Sequence, residues 1–270
     1  MAIARDDLQK KSLRFPDSEV IYDYSFLDGP DLHGFEQLYS GTYEPPIGWD
    51  RKGMWIGTEN VATQIATAIK RLTYNERFNR VRVEAWVSLA QWYGDNAIRS
   101  VEIGIDQCDN AGNRNYFALR RVFTKAAGTA TERFDVKTGT DATPSYTPVP
   151  GQGMPLTAIT GVDAEPDPVG SAWPAWPANE NKRNVVMMVL EIDPVSNKYL
   201  GAKFGDYGIG TLSASGAEDA NLSAMQGQSS TLVRFANGFN MSFDLRGLIS
   251  GSKTAADLYV ERVRVSGRTV

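Results

Sequence analysis

Seven residues between positions 79 and 123 are of the types that hold or cleave sugars in proteins. These residues are Arg82, Glu84, Trp86, Glu102, Asp106, Tyr116 and Arg120. An indole ring can stack on the apolar face of a sugar, and acidic and arginine side chains can form paired hydrogen bonds with its hydroxyls. Two carboxyl groups close together could instead supply the acid and the nucleophile of a glycosidase.

Glu84 and Glu102 are the candidate catalytic pair. Glu102 and Asp106 are unsuitable, because four residues along one strand separate them by about 13 Å, and glycosidase carboxyls lie closer. If strands 80–89 and 98–107 are antiparallel neighbours, one register places Glu84 opposite Glu102, with Cβ atoms about 5 Å apart. Another register places Trp86 opposite Glu102. Nearby arginines would keep the carboxylates ionised, whereas a general acid must hold a proton, so the pattern favours binding over catalysis.

These side chains lie on segments that alternate between apolar and polar residues. In 80–89 one row contains Val81, Val83, Ala85 and Val87, and the other contains Arg82, Glu84, Trp86 and Ser88. Successive side chains of a strand point to opposite faces. We therefore expect the valine row to enter the core and the polar row to face solvent or a groove. Residues 98–123 predict a hairpin that brings Tyr116 and Arg120 to the face of Glu102 and Asp106.

About ten segments show strand patterns, which predicts an all-β protein with two packed antiparallel sheets. Segment 60–72 fits a helix or a strand, and we interpret it as a strand because β-branched residues are frequent in it. In the last segment, 256–268, Leu258 and Val260 fall on one face, and the other face carries Tyr259, Val263 and Val265 together with Glu261. This distribution predicts a strand covered on both sides.

Two segments depart from the strand pattern. Residues 1–18 are polar and predict an N-terminal arm. Residues 139–182 are rich in glycine and proline and predict a long irregular insertion, with Trp173 and Trp176 anchoring it or forming a lid over a groove. We therefore predict a single β-sandwich domain over 1–270, which includes the arm and the insertion.

Composition excludes several classes of function. The net charge of −4 gives no footprint for nucleic acid, and no run of 18 apolar residues predicts a membrane span. Cys108 is the only cysteine and His33 the only histidine, which excludes an intrachain disulfide and zinc sites built on cysteine pairs. We expect no cofactor and no metal. The charged start, without an apolar stretch, favours a cytoplasmic protein.

Three stretches resemble the bacterial jelly-roll sandwiches of the concanavalin A-like lectin/glucanase superfamily. They are "IATAIKRLTYNERFNRVRVEAWVSL", "NVVMMVLEIDPVSNKYLGAKFGD" and "FNMSFDLRGLISGSKTAADLYVERVRVSG". The resemblance implies a jelly-roll fold and glycan binding or cleavage. The glucanases of this superfamily carry an E-x-D-x-E or E-x-D-x-x-E motif, and "VEIGIDQ" departs from both forms because Gly104 stands where the central aspartate should be. This departure puts catalysis in doubt.

The function expected from the sequence is non-catalytic carbohydrate binding by the seven residues named at the outset. Two alternatives stay open. One is a glycoside hydrolase or polysaccharide lyase that uses Glu84 and Glu102, and the other is a structural or oligomerising module without a ligand. A homo-oligomer is compatible with each.

Overall fold

A computed structural model describes the chain in fourteen stretches. They are residues 19–38, 47–58, 65–72, 78–91, 97–108, 113–126, 129–140, 144–148, 159–160, 185–204, 207–209, 227–233, 239–249 and 256–269. These residues form strands joined by turns, and none of them is helical. No helix in them is long and apolar enough to cross a membrane. The expected arm, 1–18, lies outside the described residues.

The described strands belong to two antiparallel sheets. The eight-stranded sheet contains β1 (Glu19–Ser25), β3 (Ile47–Asp50), β4 (Gly53–Thr58), β6 (Arg80–Gln91), β12 (Val186–Asp193), β13 (Lys198–Phe204), β14 (Tyr207–Ile209) and β17 (Ala256–Arg268). Its order is β14-β13-β12-β6-β17-β4-β3. Strands β4 and β1 share one edge of β17, where β4 pairs with residues 256–260 and β1 with residues 262–267. Strand β6 therefore lies between β12 and β17.

The nine-stranded sheet carries the second half of the polar segment. It contains β2 (Glu36–Leu38), β5 (Ile65–Leu72), β7 (Ala97–Cys108), β8 (Asn113–Ala126), β9 (Thr129–Gly139), β10 (Pro144–Pro148), β11 (Ile159–Thr160), β15 (Gln228–Val233) and β16 (Phe239–Ile249). Its order is β10-β9-β8-β7-β16-β5-β2, with β11 on β9 and β15 on β8. Strand β7 therefore lies between β8 and β16.

The core lies between the inner faces of the two sheets. The predicted row Val81, Val83, Ala85 and Val87 is fully buried there. Ile103 and Ile105 face this row from β7 and are also fully buried. Burial of apolar surface stabilises by about 25 cal/mol per Å², which fixes the face that each strand turns inward. The all-β sandwich predicted from the alternation is confirmed.

Several predicted strands are confirmed, including the hairpin 98–123 as β7 and β8, and the ambiguous segment 60–72, which contains β5. For the last strand, the cover on both sides is present, since the outward-facing Tyr259 and Ser266 are only 7% and 6% exposed, but the face predicted for Val263 and Val265 is wrong. A β-bulge between Val260 and Arg262 inserts one residue, so Val263 and Val265 join Leu258 and Val260 in the core.

The expectation of an irregular segment over 139–182 is wrong for residues 144–148 and 159–160. They form β10 and β11, and both pair with β9. Backbone pairing on the open edge of β9 satisfies peptide groups there, which composition alone does not reveal. Trp173 and Trp176 lie outside the described residues.

Candidate functional site

The candidate site is on the outer face of the nine-stranded sheet, and its centre is the carboxylate of Glu102. Tyr116 donates a hydrogen bond of 2.9 Å from its hydroxyl to Oε1. The hydroxyl of Tyr146 donates to Oε2. Glu102 is only 4% exposed, so the two tyrosines replace water as its hydrogen-bond donors. Both carboxylate oxygens are therefore held in fixed positions.

Gly104 explains how Tyr116 reaches Glu102. A Cβ atom at position 104 would lie 2.5 Å from the Tyr116 hydroxyl and 2.7 Å from Ser242 Oγ. Without that Cβ, the hydroxyl lies over the strand and contacts Ser242 Oγ at 3.3 Å. The residue that interrupts the glucanase-like motif thus provides the space for a tyrosine. The Tyr116 hydroxyl occupies the space that the Cβ atom of an aspartate at position 104 would need.

An ion pair flanks the two tyrosines. Arg120 Nη2 lies 2.6 Å from Asp135 Oδ2, and Asp135 is fully buried. The guanidinium carbon of Arg120 is 3.5 Å from the centroid of the Tyr146 ring. Arginine stacked on an aromatic ring in this way gains a cation–π attraction. The pair therefore holds Tyr146 from one side while Glu102 holds its hydroxyl.

Lys137 supplies a second cation next to the tyrosines. Its Nζ lies 4.4 Å from the centroid of Tyr116 and 5.3 Å from that of Tyr146. Burial and the Glu102 charge raise the pKa values of both phenols above their usual range. Both hydroxyls consequently remain protonated donors through neutral and mildly alkaline pH. We call Glu102, Tyr116, Arg120, Asp135, Lys137 and Tyr146 the tyrosine–carboxylate cluster.

Further acidic and amide groups border the cluster on neighbouring strands. Asp106 pairs with Tyr116 on one side and with Asn240 on the other, so these side chains share the outer face. Asp244 is directly opposite Glu102 across the β7–β16 ladder. Asp106, Asn240 and Asp244 are all partly accessible to solvent. The face therefore presents acceptors and donors around the buried carboxylate.

The proposed neighbours Glu84 and Glu102 are not brought together. Strand β6 pairs with β12 and β17, whereas β7 pairs with β8 and β16, so the two glutamates lie on different sheets. Both registers considered for β6 against β7 are therefore wrong. The two strands are successive in the chain, but each has both edges occupied by other partners.

The structure divides the seven predicted residues into two groups. Glu102, Asp106, Tyr116 and Arg120 share the outer face of the nine-stranded sheet, as the hairpin predicted. Arg82, Glu84 and Trp86 share the opposite outer face, away from the main core, as the alternation predicted. The expectation that this second row faces solvent or a groove is wrong, because its side chains are 3–4% exposed.

Two kinds of contact cover the row on β6. Arg82 Nε lies 3.0 Å from Glu84 Oε1, and Arg82 Nη1 lies 4.0 Å from Glu191 Oε2. Trp86 packs with Met187 and Val189 of β12 in a small apolar cluster. Burial raises the pKa of Glu191 against the opposing effect of Arg82. This face is a packed layer rather than an open platform.

Three members of the cluster, Asp135, Lys137 and Tyr146, are not among the residues that the sequence predicted. Asp135 and Lys137 alternate with the core residue Val136 in "RFDVKT", and this period-2 signal could have identified them. Tyr146 lies in the glycine- and proline-rich segment, where no periodicity indicates a face. The described residues contain no group of three or more histidine, cysteine, aspartate or glutamate side chains that could hold a metal ion.

The fold places the chain among all-β proteins built from two packed antiparallel sheets. Residues 49–244 match the family described as "Domain of unknown function (DUF6772)", and the chain belongs to this family. No curated protein has a significantly similar sequence.

Solved structures with carbohydrate-related descriptions align with most of the chain. The CBM2 module of the Lactobacillus casei BL23 phage J-1 evolved Dit is 9% identical, with 94% of this chain and 97% of that chain covered and a TM-score of 0.48. The Emp47p carbohydrate recognition domain is 7% identical, with 95% and 99% covered and a TM-score of 0.45. TM-scores this low carry no weight for the function of this chain.

Proposed function

We propose that this protein binds carbohydrate, without cleaving it, on the outer face of the nine-stranded sheet at the tyrosine–carboxylate cluster. The observation that supports this proposal best is the double anchoring of Glu102 by Tyr116 and Tyr146, with Arg120 and Lys137 against the rings. A site whose side chains are already held in place loses little conformational entropy when a ligand binds.

The groups at the edge of the cluster suit a sugar. Asp106 and Asn240 are partly accessible and offer carboxylate and amide atoms for adjacent hydroxyls. Tyr146, whose hydroxyl reaches Glu102, adds an aromatic surface to the same cluster, on which the C–H face of a pyranose ring can rest. A sugar can therefore place its C–H face on the aromatic ring while its hydroxyls hydrogen-bond to the planar polar groups.

The state of Glu102 favours binding over catalysis. Both of its oxygens accept tyrosine hydroxyls, and only 4% of the residue is exposed. A nucleophile must approach the anomeric carbon, and a general acid must reach the glycosidic oxygen. Because Glu102 is buried under these contacts, its role in this arrangement is to hold Tyr116 and Tyr146 in position.

Glycoside hydrolysis is a second candidate because Asp244 lies directly opposite Glu102. Opposed residues of an antiparallel ladder have Cβ atoms about 4.5–5.5 Å apart, and retaining glycosidases place their carboxyls about 5–5.5 Å apart. Asp244 thus replaces Glu84 as the partner of Glu102 in this alternative. It ranks second because the tyrosines occupy both oxygens of Glu102.

A glycan array followed by calorimetry on the hits tests the proposal. We expect the wild-type protein to bind at least one glycan, and Tyr146→Ala to weaken that binding about tenfold or more, because it removes the ring and frees Glu102 and Arg120. Tyr24→Ala is the matched control, since Tyr24 is a partly exposed tyrosine of the other sheet that stacks on His33. It should leave the affinity unchanged.

Three outcomes contradict or redirect the proposal. Equal losses in the Tyr146 and Tyr24 variants would place the glycan elsewhere. A wild-type protein that binds no glycan on the array would leave the face as part of a structural module. Release of reducing sugar from a bound glycan, abolished by Glu102→Gln and by Asp244→Asn, would establish hydrolysis instead.

A further inference from the structure

The ladder between β8 and β9 is interrupted at the tyrosine–carboxylate cluster. Its last paired residues are Leu119 and Val136, and the same register would next pair Ala118 with Lys137. The hydroxyl of Tyr199 lies between those two backbones instead. It accepts a hydrogen bond of 2.9 Å from the Ala118 N–H and donates one of 2.7 Å to the Lys137 carbonyl. One side-chain oxygen thus substitutes for a ladder bond.

Tyr199 comes from the opposite sheet and crosses the core to make this bridge. It belongs to β13, is fully buried, and packs edge-on against Phe117 with ring centroids 5.3 Å apart. Burial raises the pKa of its phenol, so the hydroxyl keeps the proton that it donates. Unmet backbone groups in a core are costly, so the bridge makes the interruption tolerable.

The neighbouring strands explain why β9 leaves β8 at this point. Strand β15 takes over the same edge of β8, with Gln228 opposite Tyr116 and Ser229 opposite Asn115. Beyond the interruption, the partner of β9 among the residues that the structure describes is β10, and Lys137 is opposite Tyr146. Lys137, which contacts Tyr116, therefore lies on the part of β9 that has left β8. Tyr146, which contacts Glu102, lies opposite it on β10.

The Tyr146–Glu102 hydrogen bond joins strands that are not neighbours in the sheet. Three strand spacings separate β10 from β7 in the sheet order, which is about 14 Å in a flat sheet. The Tyr146 hydroxyl hydrogen-bonds Glu102 of β7, and Lys137 Nζ of β9 lies 4.4 Å from the centroid of Tyr116 on the neighbouring β8. The two side chains together span this distance, so the Tyr146–Glu102 bond depends on where β9 and β10 lie relative to β7.

We propose that Tyr199 is a positioning residue for the tyrosine–carboxylate cluster. From the core, it fixes the positions of Lys137 and Tyr146, and it thereby controls glycan affinity. The last step rests on the proposed function. The hydroxyl acts at a distance from the ligand, through the separation that it maintains between Ala118 and Lys137.

Tyr199→Phe tests this role because it removes one oxygen and keeps the ring. We expect a crystal structure of the variant to show the Ala118–Lys137 separation changed and the Tyr146–Glu102 hydrogen bond lost. Glycan binding should weaken about tenfold. Tyr22→Phe is the matched control, since it removes a hydroxyl bonded to His33 Nδ1 outside the cluster, and should change neither the cluster nor the affinity.

A double-mutant cycle separates positioning from general destabilisation. If Tyr199 acts through Tyr146, Tyr199→Phe combined with Tyr146→Phe should bind no more weakly than Tyr146→Phe alone, whereas independent losses would multiply. Multiplying losses, or a variant structure with the Tyr146–Glu102 bond intact, would overturn the positioning role. A rearranged cluster in a protein whose wild type binds no glycan would sustain that role and reject the proposed function.

Discussion

Replacing Trp86 by alanine should destabilise the protein strongly. Trp86 is 4% exposed and packs on Met187 and Val189, with the Arg262 guanidinium 5.4 Å from the ring. A buried aromatic side chain removes roughly 150–250 Å² from water, which at about 25 cal/mol per Å² amounts to roughly 4–6 kcal/mol. Measured losses for such truncations are about 3–5 kcal/mol. We expect the free energy of unfolding to fall by about 4 kcal/mol.

Thermal unfolding followed by circular dichroism measures this loss. For a protein of this size, about 4 kcal/mol corresponds to a decrease in Tm of about 10 °C. Val195→Ala is the control, because Val195 is 63% exposed at a turn and should change stability by no more than about 0.5 kcal/mol. Glycan affinity, measured on the folded fraction, should not change with Trp86→Ala.

Two results would refute this reasoning. A decrease in Tm below about 2 °C would mean that the indole is not packed against β12 as the structure has it. Loss of glycan binding with an unchanged Tm would return the binding site to the outer face of the eight-stranded sheet. The second result would also restore the sugar platform that the sequence predicted around Trp86.

Gly104→Ala should weaken glycan binding about tenfold, because its Cβ would lie 2.5 Å from the Tyr116 hydroxyl. Gly29→Ala, where a Cβ meets nothing within 4 Å, should have no effect, and equal affinities in a calorimetric titration would refute the role of Gly104. Glu191 has a pKa raised above 4.5 by burial, so the folded state binds its proton more tightly than the unfolded state. Stability from this group is therefore present at low pH and lost as pH rises from about 4.5 through the raised pKa. As the pH falls from 7 to about 4.5, denaturant titrations should show the stability of the wild type rising relative to that of Glu191→Gln, and a constant difference would exclude the linkage.

The sequence determined the strands and the faces that they bury. Alternation placed Val83 in the core and Arg82 opposite to it, and the structure has both residues there. The reason is physical and local, since a strand with one apolar row has only one favourable way to bury it. The same local information predicted that Glu102, Asp106, Tyr116 and Arg120 share one face, because a hairpin joins their strands.

Only the tertiary structure decided which strands are neighbours. Alternation specifies a face and carries no information about a partner, so β6 and β7 could be adjacent or belong to different sheets with equal burial of their valines and isoleucines. The bulge in β17 is a similar case, since one inserted residue inverts the faces predicted for Val263 and Val265.

The candidate site depends on contacts between residues far apart in sequence, and these are what sequence reasoning could not supply. Tyr146 meets Glu102 across 44 positions, and Tyr199 bridges Ala118 and Lys137 from the opposite sheet. In the sequence, Gly104 interrupts a catalytic motif. In the fold, its lack of a side chain leaves the space that the Tyr116 hydroxyl occupies. Side-chain periodicity is a property of one strand, whereas this site is formed where a ladder opens between two of them.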